Sequence, residues 1–230
     1  MPSTKEIYRR FAKDYHMLVM REDYQGNLLP AILAITPLQG RDVVELGAGT
    51  GRLSDLISSQ AQQVIALDLS FHMLSYGKNY LSKQSVDNIN LVLGSHWALP
   101  LANKTADIVI AGWSFCYAAV DADEDWQSVL EQALDEVRRI LRKDGSLILI
   151  ESLGTGFETP DHPDVLADYL AYLDTHGFQS TWIRTDYRFT DRKEAQYLTT
   201  FFFGDDSLPT WETEKGMIVP ECTGLWWINL

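Results

Sequence analysis

With 230 residues, 46% of them hydrophobic, the chain holds enough apolar material for one large α/β domain. Its 32 acidic residues against 19 basic ones give a formal charge of -13. That balance disfavours nucleic acid as a partner, because phosphate binding needs a basic face. No stretch reaches the roughly 18 consecutive apolar residues of a membrane span, and the start, Met1-Pro2-Ser3-Thr4-Lys5-Glu6, lacks the apolar run of a signal peptide. Cys116 and Cys222 lie far apart and suggest neither a disulfide framework nor a zinc cluster. A cytoplasmic, reduced protein with no membrane partner is the expectation.

Ser3-x-x-Glu6 has the form of a capping box, and Ile7, Phe11, Tyr15 and Leu18 then recur at helical spacing. A second short helix is expected from about 26 to 35. Apolar runs rich in Val, Ile and Leu follow at 42–46, 63–68, 89–93, 107–111 and 146–150, as strands buried on both faces require. Helical segments near 52–60, 71–83 and 125–142 alternate with them. The last carries Leu130, Leu134 and Val137 on one side, Gly145 beyond its end, and the basic pairs Arg138-Arg139 and Arg142-Lys143 near its negative pole. Repeated strand-then-helix order predicts a parallel sheet covered by helices on both faces. Beyond Glu151 a loop, a helix over 165–176, an extended stretch over 179–189, a helix over 192–203 and a final run over 223–230 read as the sheet's last two strands with their connections.

The segment from Val43 to Arg52, V-V-E-L-G-A-G-T-G-R, carries the chemistry. A buried strand runs into Gly47-Ala48-Gly49-Thr50-Gly51, and a helix follows. Glycines there allow a tight turn and close approach of backbone to a ligand, and free N–H groups at a helix start favour an anion. A tight turn without ligand is the plain alternative. The next strand ends in Asp68, a carboxylate able to accept hydrogen bonds from both ribose hydroxyls, or else to cap the following helix, where Ser70 competes. In the sixth place of a G-x-G-x-x-G fingerprint stands Arg52 rather than Gly or Ala, which argues against a standard nicotinamide-dinucleotide turn.

With A-L-D-L-S over 66–70, G-S-H-W-A-L-P-L over 94–101, A-D-I-V-I-A-G-W over 106–113 and L-R-K-D-G-S-L-I-L over 141–149, the glycine turn resembles the ordered motifs of the class I S-adenosylmethionine-dependent methyltransferases of small-molecule type. The resemblance implies a Rossmann-like, seven-stranded, mostly parallel sheet with the last strand antiparallel. It implies one domain over 1–230, with a helical lid over 1–40, a cofactor-binding core over 41–151, and C-terminal strands and substrate-pocket elements over 152–230. Glu45 and Gly47, Ala48, Gly49, Thr50 and Gly51 would lie along the methionine part of S-adenosylmethionine, and Asp68 would hold the ribose. Leu69 and Met73 would pack near the adenine, with Ser95 and His96 at its edge. Ser95 stands where the family commonly has Asp, so its neutral hydroxyl offers a weaker or water-bridged contact. Ala111, Gly112 and Trp113 would flank the sulfonium, and Tyr15 would lie on the covering N-terminal helix.

Methyl transfer needs alignment and exclusion of water more than a catalytic side chain, unless the acceptor must lose a proton. His16, beside Tyr15, and Glu151, at the carboxyl end of the fifth strand, are weak candidates for such a base. Glu151 is also read as a substrate-pocket residue, against a structural hydrogen bond. Tyr117 and Trp113 offer faces to a sulfonium or a flat acceptor, whereas Phe115 is expected in the core. His72, His162 and His176 read as surface groups. Cys116 reads as a buried thiol, and the acidic run from Asp121 to Asp125 as a solvated loop rather than a metal site. The aromatic groups Phe201-Phe202-Phe203 and Trp226-Trp227 either close the acceptor pocket or fill the core. The small-molecule acceptor is unspecified, as is the oligomeric state. A nicotinamide-dependent oxidoreductase and a non-catalytic cofactor-binding protein are the alternatives.

Overall fold

Strands whose successive side chains enter two different cores need an unbroken apolar run, and the computed structural model, which describes residues 3–121, 125–204 and 208–230, shows both cores. The strands are β1 (Asp42–Leu46), β2 (Gln63–Asp68), β3 (Ile89–Leu93), β4 (Ala106–Gly112) and β5 (Leu141–Thr155). Val43, Val64, Ile108 and Ile148 pack with Leu28 and Ile32 of α3 (Leu28–Ile35) and with Leu53 and Ile57 of α4 (Arg52–Ser58). Val44, Leu46, Val109, Leu147 and Leu149 enter the opposite core. There they meet Leu130, Leu134 and Val137 of α7 (Trp126–Ile140) and Leu170 and Leu173 of α8 (Ala167–Thr175). Helices therefore cover both faces.

Among the described residues the large sheet has seven strands in the order β3-β2-β1-β4-β5-β10-β6, where β6 is Gln179–Arg184 and β10 is Glu221–Asn229. The strands from β1 to β5 are parallel, and β10 is antiparallel to both β5 and β6. This is the predicted α/β architecture with its antiparallel last strand. Strand order reverses between β1 and β4, and the carboxyl ends of strands at such a switch point form a crevice.

Four local expectations need correction. The N-terminal helix is two helices, α1 (Thr4–Arg10) and α2 (Ala12–Val19), broken at Phe11, whose φ of -123 and ψ of 36 are not helical. Its start is as predicted, with Ser3 and Glu6 exchanging both capping-box hydrogen bonds. After β4 the chain turns into α6 (Cys116–Asp121), a helix absent from those expected. Arg142 is the second residue of β5 instead of the end of α7, and its guanidinium bridges Asp42 and Asp107, each at 2.8 Å. The tail, finally, adds a small antiparallel sheet in the order β7-β9-β8, from Tyr187–Phe189, Trp211–Thr213 and Gly216–Val219. Strands of three or four residues carry too little alternation to be read from sequence. With α9 (Arg192–Phe203), this sheet encloses a separate cluster around Leu18, Tyr187, Phe189, Leu198 and Val219.

No helix among the described residues is long and apolar enough to cross a membrane. The acidic run at 121–125 falls largely on residues 122–124, outside the described residues. Trp226 is buried in the core of β10 and donates from its indole N–H to Asp174 at 2.8 Å, which settles that segment as packing.

Glu221, at the start of β10, is fully enclosed and accepts from the Ser152 hydroxyl at 2.6 Å. Burial, then the neighbouring Glu22 carboxylate, pushes its pKa from 4.5 to about 8. The folded chain thus keeps a proton that an unfolded glutamate releases, and stability falls as pH rises from the unfolded toward the folded pKa. Glu221→Gln keeps the acceptor and removes the ionisation. We expect it to raise the melting temperature by about 3 °C or more at pH 8.5 and to change it little at pH 5. Thermal scans at both pH values check this, and an equal shift at both contradicts it.

Candidate active site

The turn after β1 is built on positive φ. Gly47 has φ +79, and a Cβ there would lie 2.4 Å from Ser114 Cβ, a contact no side chain survives. Gly49 has φ +55, and its Cβ would point at the Tyr15 ring, 3.5 Å away. The N–H groups of Gly47 and Ala48 donate to the Leu67 carbonyl at 2.8 and 2.9 Å, which locks the turn against the end of β2. Asp68 completes the junction. One carboxylate oxygen accepts from Gly49 N–H at 2.7 Å and the other from Ser70 N–H at 2.7 Å. Burial raises its pKa, and these backbone donors oppose the rise. Capping of the next helix, α5 (Phe71–Leu81), falls to Ser70, whose hydroxyl accepts from Met73 N–H at 3.3 Å. Asp68 is thereby left facing the crevice.

A cavity of about 240 Å³ opens here, and its floor includes Gly47, Gly49, Asp68 and Gly112. Leu69, Met73, Ser95 and His96 line one side, and Trp113 and Ser114 the other. Tyr15 of α2 and Thr4, Lys5 and Tyr8 of α1 cover it, facing Tyr117 and Val120 of α6. The cover is fastened by the Tyr8 and Tyr117 hydroxyls, 2.7 Å apart, and by Ser70 Oγ donating to the Tyr8 carbonyl at 2.7 Å. Trp113 is itself a strained residue, at φ 50, with the Arg52 guanidinium 4.8 Å from its ring centroid. Arg52 also pairs with the buried Glu22 at 2.9 Å.

Of the residues singled out from sequence, Tyr15, Gly47, Gly49, Asp68, Leu69, Met73, Ser95, His96, Gly112, Trp113 and Tyr117 meet at this one cavity. A small adjoining recess is lined by Glu45, Ala48, Thr50 and Arg52. The Glu45 carboxylate there takes the Ser54 hydroxyl, and burial pushes its pKa up to about 7. Gly51 faces Leu81 of α5 and Ala111 is wholly buried in β4, so both pack the floor from behind. The Ser95 hydroxyl accepts from Trp97 N–H at 3.3 Å within a tight turn closed by a bridge to Ala98.

Neither candidate base stands at the cavity. His16 turns its Nδ1 to the Thr50 hydroxyl at 2.9 Å and packs between Tyr76 and Tyr80. Glu151 is sealed in the core, where it accepts from Cys116 N–H at 3.1 Å and Tyr169 O–H at 3.0 Å, and burial pushes its pKa up to about 7. It serves here as a hydrogen-bond acceptor and is not among the described residues that line this cavity. Cys116 beside it is held protonated by burial and by the Glu151 charge. Phe115 lies in the core as expected. Phe201, Phe202 and Phe203 support the lid from outside through rings on Phe11, Tyr15 and Tyr187. The cavity residues missed in sequence are Thr4, Lys5, Tyr8, Trp97, Ser114 and Val120. Tyr8 carried a signal, standing seven residues before Tyr15 and so on the same helical face.

Residues 44–149 match the family model described as a methyltransferase domain. Over this core the chain is similar to methyltransferases. An uncharacterized methyltransferase of Schizosaccharomyces pombe is 34% identical over 109 residues, 47% of this chain and 38% of that protein. A malonyl-[acyl-carrier protein] O-methyltransferase of Methylococcus capsulatus is 31% identical over 130 residues, 56% of this chain and 43% of that protein. The chain thus spans less than half the length of these two curated relatives. The structure of an S-adenosylmethionine-dependent methyltransferase from Aquifex aeolicus shares the fold, with a TM-score of 0.56 at 15% identity over 88% of this chain and 89% of that one. The cofactor of such methyltransferases is S-adenosylmethionine.

The clash at Gly47 gives a direct test of the floor. Gly47→Ala is expected to cost about 2 kcal/mol of unfolding free energy or more, from the strained φ and the Ser114 contact together. Adding Ser114→Gly is expected to restore part of it. Denaturant melts of the single and double variants measure both, and a double variant no more stable than Gly47→Ala would show that Ser114 is not the obstacle.

Proposed function

We propose that this chain transfers the methyl group of S-adenosylmethionine to a small-molecule acceptor held in the covered cavity. The observation that carries the reading is the union, in one crevice, of two left-handed glycines and a carboxylate at the end of the neighbouring strand. A cofactor with a ribose, a purine and a zwitterionic tail fits such a set. Asp68 has lone pairs beyond those used by Gly49 and Ser70 for a ribose diol. Met73, Leu69 and the Ser95–His96 turn offer an apolar slot with polar rim for a purine. The recess of Gly47, Ala48, Thr50 and Arg52 suits the amino-acid end, and the aromatic faces of Tyr15 and Trp113 favour a sulfonium.

When bound, S-adenosylmethionine supplies a methyl carbon activated by the positive sulfur. The chain's own work is positional. Tyr15 and Tyr8 cover the cavity, and the hydrogen bond between the Tyr8 and Tyr117 hydroxyls holds that cover. Trp113, held at positive φ with its N–H on the Ile150 carbonyl at 2.7 Å, would form one wall of the space in which donor and acceptor meet. Alignment of this kind supplies much of the acceleration of an in-line displacement. In the single-domain reading, 1–40 is the helical lid, 41–151 the cofactor-binding core and 152–230 the C-terminal strands and substrate-pocket elements.

Calorimetric titration with S-adenosylmethionine, with NAD as control, is expected to show one site for the former and none for the latter. Asp68→Ala and the milder Asp68→Asn should weaken it by about tenfold or more, the loss of charge-assisted hydrogen bonds. Selective NAD binding would return the chain to the oxidoreductase reading, and affinity untouched in both variants would move the ribose away from Asp68.

A further inference from the structure

We propose that Glu22, just after α2 of the lid, positions Arg52 for the carboxylate of the cofactor's amino-acid end, and takes a proton from solvent when that carboxylate arrives. The proposal rests on the methyltransferase reading and adds to it a positioning residue that lines neither the cavity nor its recess.

Arg52 opens α4 directly after the glycine turn and borders the recess beside Gly47, Ala48 and Thr50. Its guanidinium lies 4.8 Å from the Trp113 ring centroid, and its Nη2 is 2.9 Å from Glu22 Oε2. The two side chains are 15% and 4% exposed, so a long, flexible arginine is held at the recess instead of reaching into water. A guanidinium carries five N–H donors, and one carboxylate oxygen leaves donors for a second anion. Among the described residues that line the recess, the groups able to carry opposite charges are Arg52 and Glu45, which suits a zwitterionic tail.

Glu22 ties this pair to the lid. Its N–H donates to the Val19 carbonyl of α2 at 3.3 Å, and the next residue, Asp23, docks on the Thr185 carbonyl. Its other oxygen, Oε1, is buried without a hydrogen-bond partner among the described residues. Facing it are Tyr15 from α2, Asp23, Arg52 from α4, Tyr187 from β7 and Glu221 from β10. Burial raises its pKa to about 7, with Arg52 opposing the rise and Asp23 adding to it. Arg21, Arg188 and Lys215 are the cations of a second cavity that Glu22 lines.

A ligand α-carboxyl, with an ordinary pKa of about 3.5, stays ionised on arrival. Two carboxylates then share one buried guanidinium, and poorly screened like charges disfavour ionisation of the weaker acid. Glu22 is that acid. One proton from solvent forms an O–H bond at the unpartnered Oε1, while Oε2 stays on Arg52 as a neutral acceptor and keeps the guanidinium in place. The bound state holds one proton more than the free state, so this contribution to affinity falls as pH rises above the Glu22 pKa.

The test is calorimetric titration of the full chain at pH 6 and pH 8.5 with S-adenosylhomocysteine and with 5′-methylthioadenosine, which lacks the amino-acid tail. Wild type is compared with Glu22→Gln and Glu22→Ala. The glutamine keeps an oxygen for Arg52 and cannot ionise. It is expected to bind S-adenosylhomocysteine as wild type does at pH 6, and about fivefold or more tightly than wild type at pH 8.5. Glu22→Ala releases Arg52 and is expected to bind at least about threefold more weakly than Glu22→Gln at both pH values. Glu45 stays in every variant, so its own titration cancels from these ratios. 5′-Methylthioadenosine is expected to bind all three proteins alike, which also reports their folding. A ratio of glutamine variant to wild type that is the same at both pH values overturns the proposal. So does an alanine variant equal to the glutamine one, or a matching change with 5′-methylthioadenosine. Failure of both ligands to bind wild type tells against the methyltransferase reading instead.

Discussion

The carboxylate of Asp68 is the joint on which the site is hung. It ends β2, yet its two oxygens hold the N–H groups of Gly49, in the turn after β1, and of Ser70, at the start of α5. Two crossovers of the sheet are tied together at one point, and the glycine turn is fixed against the neighbouring strand instead of floating as a loop. Burial of an ionised carboxylate is costly unless it is hydrogen-bonded, so Asp68 holds its place through the N–H groups of both neighbouring segments. The Leu67 carbonyl, accepting from Gly47 and Ala48, repeats the same tie one residue earlier.

Above this rigid floor the cover is made of separate parts. The break at Phe11 lets α1 and α2 take different directions, so that Tyr15 lies over Gly49 while Tyr8 reaches α6. The small sheet and α9 do not touch the cavity, but they set the height of the lid. Phe202 supports Tyr15, and Arg21 is bonded to Glu194 at 2.7 Å. The loop after α2 docks on the connection after β6 through Asp23 N–H to the Thr185 carbonyl at 3.1 Å. Among the described residues of the C-terminal third, none lines the cavity, and Phe202 and Glu194 support the lid.

What was legible in the sequence follows from these constraints. Doubly buried strands leave unbroken Val, Ile and Leu runs, and the first three were placed to the residue. A turn that demands positive φ and a strand that ends in Asp are equally plain. Less legible were features decided by tertiary contact. Glu151 was expected to end the fifth strand, but β5 runs on to Thr155, pairing Glu151 with Gly224, and Tyr169 of α8, 18 residues on, closes over it, which no local pattern announces. His16 is one residue from Tyr15, and a helical step of about 100° is enough to turn it from the cavity to Thr50. Lys5 and Tyr8 were hidden in a helix read for its apolar stripe alone, and the three-residue strands were too short to show a period.

A crystal structure of the full chain with S-adenosylhomocysteine tests the account most directly. The predicted result is a ribose diol on Asp68, a purine between Met73 and the Ser95–His96 turn, and a sulfur facing the mouth between Trp113 and Tyr117. A purine lying outside that slot, or a sulfur turned away from Trp113 and Tyr117, would contradict it.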